Sequence, residues 1–184
     1  MKKEKEKDAD KARRKWVVCI TFFAFFLSVF MSMFSDMLLK KSTTVIAFII
    51  LISIIVIGII FDMLGVAVTV ADERPFNSMA SSKIKGAKSS LMLIKNAGRV
   101  SNVFNDVVGD TCGIISGTSA AFIVSQIGGS VDFIDAAVFS MILSGLVAAG
   151  TIGGKAMGKD IAIGRSKEIV TIVGKIISVF TERK

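Results

Sequence analysis

The sequence predicts an all-α integral membrane protein with about four transmembrane helices. Hydrophobic residues fill 52% of the 184 positions and the mean hydropathy is +0.68, which is above the range of ordinary water-soluble domains. Four stretches are long and apolar enough to cross a hydrocarbon core, which takes about 20 residues of helix. The charged residues gather in blocks beside these stretches, so the blocks mark the ends of the spans.

A basic tail, residues 1–15, opens the chain, and the first two spans follow at about 16–39 and 44–61. The apolar pattern would also allow the second span to end at Val70. A cleaved signal peptide is the competing interpretation of the first span, but its apolar run is too long and no small-residue cleavage motif ends it. Its phenylalanines predict a lipid-facing or packed apolar surface, not a cofactor site: Phe22, Phe23, Phe25, Phe26, Phe30 and Phe34.

Residues 72–100 predict an interfacial or re-entrant helical segment instead of a span. Apolar residues recur there at spacings of three and four among serines and lysines, after Pro75, the only proline. The third and fourth spans follow at about 103–127 and 133–152. They complete a predicted transmembrane domain at 16–158.

The C-terminal residues 159–184 predict a cytoplasmic, amphipathic juxtamembrane helix that lies along an anionic lipid leaflet. An apolar stripe at helical spacing runs through this segment, flanked by basic residues: Ile169, Ile172, Val173, Ile176, Ile177 and Phe180. The lipid membrane is therefore a predicted partner of this helix as well as of the spans.

Three basic blocks, at 1–15, 72–99 and 155–184, each carry a net charge of +4. With four spans, all three blocks fall on one side of the membrane, and the positive-inside rule places that side in the cytoplasm. Lys40 and Lys41 lie on the other side and weaken this assignment without reversing it. We expect a multi-pass protein of the cell membrane with both termini in the cytoplasm.

Composition excludes several functional classes. No histidine occurs, which excludes histidine metal ligation and histidine general-base catalysis. Cys19 and Cys112 are far apart in apolar stretches, so neither a disulfide framework nor a zinc site is supported. A nucleophilic Ser116 or Cys112 would lack a histidine base, and we expect no enzyme. The net charge of +8 forms no aromatic-interleaved basic surface, and we expect no nucleic-acid partner.

The third span carries a polar face. At α-helical spacing, an amide, two carboxylates and two glycines share this face, namely Asn102, Asp106, Asp110, Gly113 and Gly117, with Asn105, Gly109 and Ser116 beside them. A carboxylate near the membrane centre costs about 2.5–3.5 kcal/mol, and two of them also repel each other. These charges need compensation.

Three kinds of compensation are open. Both acids could lie in water at the cytoplasmic mouth of the span, they could pair with basic residues, or they could bind a cation. Ion pairing has the least support because no Lys or Arg lies inside the predicted spans, although Lys95 or Arg99 could fold back. For a cation, the available carboxylate, amide, hydroxyl and carbonyl oxygens suit Mg²⁺, or less specifically Na⁺ or Ca²⁺.

Small residues predict close helix packing. Gly109, Gly113 and Gly117 form one small-xxx-small ladder. A second ladder in the fourth span consists of Gly145, Ala149 and Gly153. Such ladders allow two helix backbones to approach each other, within one chain or between two chains.

The stretch at about 61–121 resembles the transmembrane domain of the CNNM/CorC magnesium transporters. The resemblance rests on a Gly-Val-Ala-Val-Thr element after an apolar span, a Met79-Ala80-x5-Gly86-Ala87-Lys88 helix, a Lys95-Asn96-Ala-Gly-Arg99 turn and Gly109-Asp110. Departures occur where the family has a Ser-Glu pair, here near Leu64 and Gly65, where the turn has proline, here Ala97, and where Gly is followed by Asn, here Asp110.

The resemblance implies Mg²⁺ handling, a homodimer, and a short break or re-entrant element between the second and third spans. No nucleotide-binding CBS pair follows the last predicted helix, so we expect a membrane domain without CBS domains.

Two functional hypotheses follow. The first is membrane transport of a divalent cation, most consistent with Mg²⁺, whose ligands are Asp110, Asp106, Asn102, Asn105 and Ser116. The alternative is a non-transporting membrane adaptor or scaffold that recruits partners through its basic amphipathic segments. Ion flux would separate them.

Overall fold

The computed structural model describes residues 2–40, 42–128 and 133–181, and all regular elements in these ranges are helical. The predicted all-α class is confirmed, and four helices are long and apolar enough to span a membrane. The elements are α1 (Lys2–Leu39), α2 (Thr44–Val70), α3 (Glu73–Ser81), α4 (Ala87–Lys95), α5 (Ala97–Ser101), a π-helical segment (Asn102–Gly109), α6 (Asp110–Gly128), α7 (Phe133–Gly164) and α8 (Ser166–Thr181).

The second and fourth helices extend beyond the main predicted spans, although the apolar pattern already allowed the second span to reach Val70. Helix α2 continues to Val70, and α7 continues to Gly164, well beyond residue 152. Isolated charged side chains at these helix ends do not interrupt the backbone hydrogen bonds of a helix. Lys41 and residues 129–132, which form most of the predicted connection between the third and fourth spans, lie outside the described residues.

Helix α2 is the centre of the bundle, because it packs against α7, α6 and the π-helical segment. Two apolar clusters form along it. One lies towards its start and includes Ala47, Leu51, Ile123 and Leu143. The other lies towards its end and consists of Ala67, Val68, Ala71, Phe76, Leu93, Ile94, Ala162 and Val170. We call the second region the α8 end of the bundle.

Helix α1 packs mainly against α6 and leaves its other surface exposed. The predicted apolar surface is found there, since the six phenylalanines between Phe22 and Phe34 are all 48–66% exposed. The guanidinium of Arg99 lies 5.1 Å from the ring centre of Trp16. This cation–π contact places Trp16, where the apolar part of α1 begins, beside α5 at the α8 end.

Three short helices, α3 to α5, form the predicted interfacial segment. Asp72 caps α3 by accepting a hydrogen bond from the Arg74 backbone N–H at 3.0 Å, and Pro75 lies in the first turn, where its missing N–H is tolerated. Phe76 is fully buried in the cluster at this end of the bundle.

The predicted C-terminal helix is present as α8, and its packed face includes part of the predicted stripe. It packs on α4 through Val170, Gly174 and Ser178, all buried, whereas Ile172 and Ile176 are more than half exposed. Gly174 lies against Ser90, and the Ser90 hydroxyl donates to the Val170 carbonyl at 3.0 Å. Because α4 and α8 approach closely, small residues occupy the contact, while Ile169, Val173 and Ile177 pack beside it against the apolar cluster. The side chain of Phe180 lies outside the described residues.

Candidate cation site

Two carboxylates and one lysine from three different spans meet between the apolar clusters. The ammonium Nζ of Lys155, on α7, lies 3.4 Å from Oδ1 of Asp110 and 3.6 Å from Oδ1 of Asp62. Asp62 belongs to α2, and Asp110 is the first residue of α6. We call these three residues the acid–lysine cluster.

The cluster carries one more negative than positive charge, with the three groups ionised. The side chain of Asp62 is 7% exposed and that of Lys155 is 22% exposed, whereas that of Asp110 is 67% exposed. Both N–O distances exceed the usual 2.7–2.9 Å of a charge-assisted hydrogen bond. One ammonium is therefore shared loosely between two carboxylates instead of being held tightly by one.

Two buried oxygen atoms near the cluster lack a donor. Neither Oδ2 of Asp62 nor Oδ1 of Asn105 has a hydrogen-bond partner among the described residues. Buried acceptors are nearly always paired, and an unpaired one costs about 1–3 kcal/mol. A negatively charged site with two unpaired oxygen acceptors is chemically suited to a cation.

The π-helical segment positions Asn105. The backbone N–H of Asp110 donates to the Asn105 carbonyl, five residues earlier, and also to that of Val107. In such a segment, residues five apart share a face, so Asn105 and Asp110 are brought to the same side of the helix. π-Helical turns inside α-helices occur frequently at functional sites.

Gly65 allows Asn105 to reach α2. A Cβ at position 65 would clash with Oδ1 of Asn105, so only glycine leaves space for this amide in its present position. The amide Nδ2 of Asn105 donates to the Ser101 hydroxyl at 3.2 Å. Asp62 and Gly65, three residues apart, lie on one face of α2. Asn105 therefore packs against the same helix face that carries the buried carboxylate.

The cluster lies near one boundary of the hydrocarbon core. At the end of the bundle opposite α8, the three spans begin or end at Thr44, Ile127 and Ala137. Asp62 lies 18 residues from Thr44, Lys155 lies 18 from Ala137, and Asp110 lies 17 from Ile127. At 1.5 Å per residue, each lies about 25–27 Å from the far end of the bundle. In a core of about 30 Å, this depth places the cluster at the α8 end, within reach of water.

Polar side chains continue from the cluster along the contact between α1 and α6. The hydroxyls of Ser28 and Thr111 lie 3.0 Å apart, and those of Ser35 and Ser119 lie 3.4 Å apart. Nearer the far end, the amide of Gln126 donates to the Ser42 carbonyl at 3.3 Å. Thr111, Ser35 and Ser119 are buried. These pairs form a line of polar contacts between the cluster and the opposite end of α6.

The five predicted ligands are only partly brought together. Asp110 is in the cluster and Asn105 lies beside it. Asn102 and Asp106 are exposed, one to two turns closer to the α8 end. Ser116 is buried further along α6, where its hydroxyl donates to the Cys112 carbonyl at 2.7 Å.

Ion pairing, for which the sequence offered little support, is present. Lys155 was assigned to the basic block that follows the fourth span, and Asp62 fell just past the main predicted end of the second span, so neither was recognised as part of a polar site within the bundle. The signal that could have found them is the continued apolar character around each, Met63 to Val70 in α2 and Ile161 to Ile163 in α7. The structure describes no group of three or more His, Cys, Asp or Glu side chains that could hold a metal within residues 2–40, 42–128 and 133–181.

Most glycines of the two predicted ladders are not used for packing within the chain. A Cβ at Gly113, Gly117, Gly145 or Gly153 would meet no atom within 4 Å in the described part of the chain. The close contacts between α7 and α2 instead use Gly154 and Gly158, which lie against Ile59. Apart from the buried Gly109, the ladder glycines therefore make no close helix contact among the described residues of this chain, which leaves a contact between two chains as their expected role.

Comparison with known proteins adds no relative. No protein-family model, curated protein or solved structure matches this chain.

Proposed function

We propose that this membrane protein transports a cation, with Mg²⁺ as the cargo, through a site formed by Asp62, Asp110 and Asn105. The observation that carries the proposal is the buried Oδ2 of Asp62, which has no hydrogen-bond partner in the described part of the chain although it belongs to a negatively charged cluster. A bound cation would satisfy this oxygen and offset the excess charge. Burying an unpaired charge in a membrane is otherwise costly, and intramembrane ionisable residues usually serve a function.

The donor atoms fit a hard cation that keeps part of its water. Two carboxylates supply charge, and the unpaired Oδ1 of Asn105 replaces one water ligand. Mg²⁺ in proteins is typically held by one or two carboxylates with several waters retained. Exposed Asp106 and Asn102 would attract the ion towards the site, and the buried hydroxyl of Ser116 lies on the far side of it along α6.

The line of polar contacts between α1 and α6 supports transport over simple binding. The paired hydroxyls of Ser28 with Thr111 and of Ser35 with Ser119 offer oxygen atoms between the cluster and the far end of the bundle. Hydroxyl pairs also hold membrane helices together, so the two functions differ in whether ions move along this line. The resemblance to the CNNM/CorC transporters supports the choice of Mg²⁺, and its Gly109-Asp110 motif falls where the π-helical segment meets α6.

A homodimer and a cytoplasmic location of both termini belong to the same proposal. Gly113 and Gly117, together with Ala148, Thr151 and neighbouring residues, line a groove of about 320 Å³ between α6 and α7. A second copy could approach closely there because the groove is formed by small side chains. The start of α1 and the basic helices lie at one end of the bundle, which the positive-inside rule would place in the cytoplasm.

Mg²⁺ flux into proteoliposomes tests the proposal. Asp62→Asn and Asp110→Asn each remove one charge from the site and should lower Mg²⁺ affinity at least tenfold, equivalent to about 1.4 kcal/mol. Asp160→Asn is the matched control, because Asp160 is exposed on α7 outside the cluster. Wild-type protein that neither binds nor moves Mg²⁺ would contradict the proposal and favour the adaptor, whose basic amphipathic helices would then bind anionic vesicles without any flux.

A further inference from the structure

Lys155 holds its ammonium where a bound cation would be held. It contacts Oδ1 of both Asp62 and Asp110, at 3.6 and 3.4 Å. In the structure, the positive charge shared by the two carboxylates is therefore carried by the protein itself.

We propose that Lys155 is a tethered substitute for the cargo ion, which occupies the site when the carrier is empty and leaves it when the ion binds. This inference rests on the proposed function. A carrier that returns empty must expose its site on both sides of the membrane, and two uncompensated carboxylates would oppose that step. The ammonium lowers the excess charge of the empty site from two to one.

The geometry permits such an exchange. The side chain of Lys155 is partly exposed, its four-carbon stem is flexible, and neither contact has the short distance of a tight ion pair. Gly109 adjoins the ammonium without crowding it, since even a Cβ there would lie 3.7 Å from Nζ, an ordinary contact distance. Bound Mg²⁺ and the ammonium repel each other, so the ion displaces Lys155 instead of binding beside it.

The two carboxylates differ in burial, and each environment suits the proposed exchange. Asp62 is almost fully buried and keeps a second oxygen, Oδ2, without a partner even while Lys155 contacts Oδ1. Asp110 is largely exposed, so water can solvate it when the ammonium leaves. Lys155 therefore compensates the pair only partly, and the remaining oxygen of Asp62 is available to the arriving ion.

The test measures two transport modes of the full chain in proteoliposomes. Net Mg²⁺ uptake requires the empty carrier to return, whereas exchange of external ²⁵Mg²⁺ for internal Mg²⁺ does not. Lys155→Met should bind Mg²⁺ at least tenfold more tightly, retain exchange, and lose at least tenfold in net uptake. Lys159→Met, which removes an exposed lysine four residues further along α7, should leave affinity and both modes unchanged.

Lys155→Arg keeps the test decisive if the methionine variant does not fold. A guanidinium can bind carboxylates with two parallel hydrogen bonds, so it should compete better and weaken Mg²⁺ binding at least threefold in a folded protein. Unchanged affinity in Lys155→Arg, or equal net uptake by Lys155→Met and wild type, overturns this inference alone. Wild type that shows no Mg²⁺ binding or flux overturns the proposed function and this inference with it.

Discussion

Replacing Gly65 by alanine should remove an ion ligand without unfolding the protein. The new Cβ would clash with Oδ1 of Asn105. Because this oxygen is at the end of a flexible side chain, the amide can rotate away. The cost is the hydrogen bond from Asn105 to Ser101, about 0.5–1.5 kcal/mol. Alanine stabilises the helix by up to about 1 kcal/mol relative to glycine because of its higher helix propensity, which offsets this loss. The free energy of unfolding should therefore change by no more than about 1 kcal/mol.

Gly58, two turns away on the same helix, should respond differently. A Cβ there would lie 2.9 Å from Cβ of Cys112 and 3.6 Å from the Gly109 carbonyl oxygen. Neither atom can rotate away, so the helices must separate, which typically costs about 1–3 kcal/mol. Gly150→Ala is the control for helix preference alone, because a Cβ at that exposed position meets no described atom within 4 Å.

The measurements are thermal unfolding in detergent micelles and Mg²⁺ titration by calorimetry. Gly65→Ala should unfold close to the wild-type temperature but bind Mg²⁺ about three- to tenfold more weakly, as expected if one ligand worth roughly 1 kcal/mol is lost. Asn105→Ala should reproduce that affinity. The reasoning is refuted if Gly65→Ala binds Mg²⁺ as tightly as wild type, or if it loses as much stability as Gly58→Ala.

Two further predictions concern assembly and orientation. Leucine at Gly145, where a Cβ meets no described atom within 4 Å, should fit within the protomer but weaken the dimer at least tenfold, about 1.4 kcal/mol; a crosslinking titration that finds only monomer in wild type contradicts it. In a cysteine-free background, single cysteines at Lys11 and Lys167 should react with a membrane-impermeant maleimide only after the membrane is opened, and labelling of intact cells at either position contradicts the cytoplasmic termini.

Hydropathy and charge were sufficient for the fold class and the number of spans. A helix in a bilayer must satisfy its own backbone hydrogen bonds and present about 20 apolar residues, and both requirements are local in sequence. For the same reason the carboxylate Asp110 and the amide Asn105 could be selected as candidates, since a polar residue inside an apolar run is visible without a structure. The precise ends of the spans were harder to predict from the sequence, because a helix can continue past single charges such as Asp62 and Lys155.

Which charges meet was decided by tertiary structure. Asp62, Asp110 and Lys155 are separated by more than forty residues of sequence at each step, and they converge only because α2, α6 and α7 pack at one particular depth and rotation. The π-helical register of residues 102–109 had the same origin. An i to i+5 pattern and an i to i+4 pattern can be formed by identical residues, and the contact of Asn105 with Gly65 accompanies the wider turn. The sequence by itself determined a four-span membrane protein with an acidic face on its third span. Helix packing determined that Lys155 offsets half the charge of a different pair, Asp62 and Asp110, and that Oδ2 of Asp62 has no partner among the described residues.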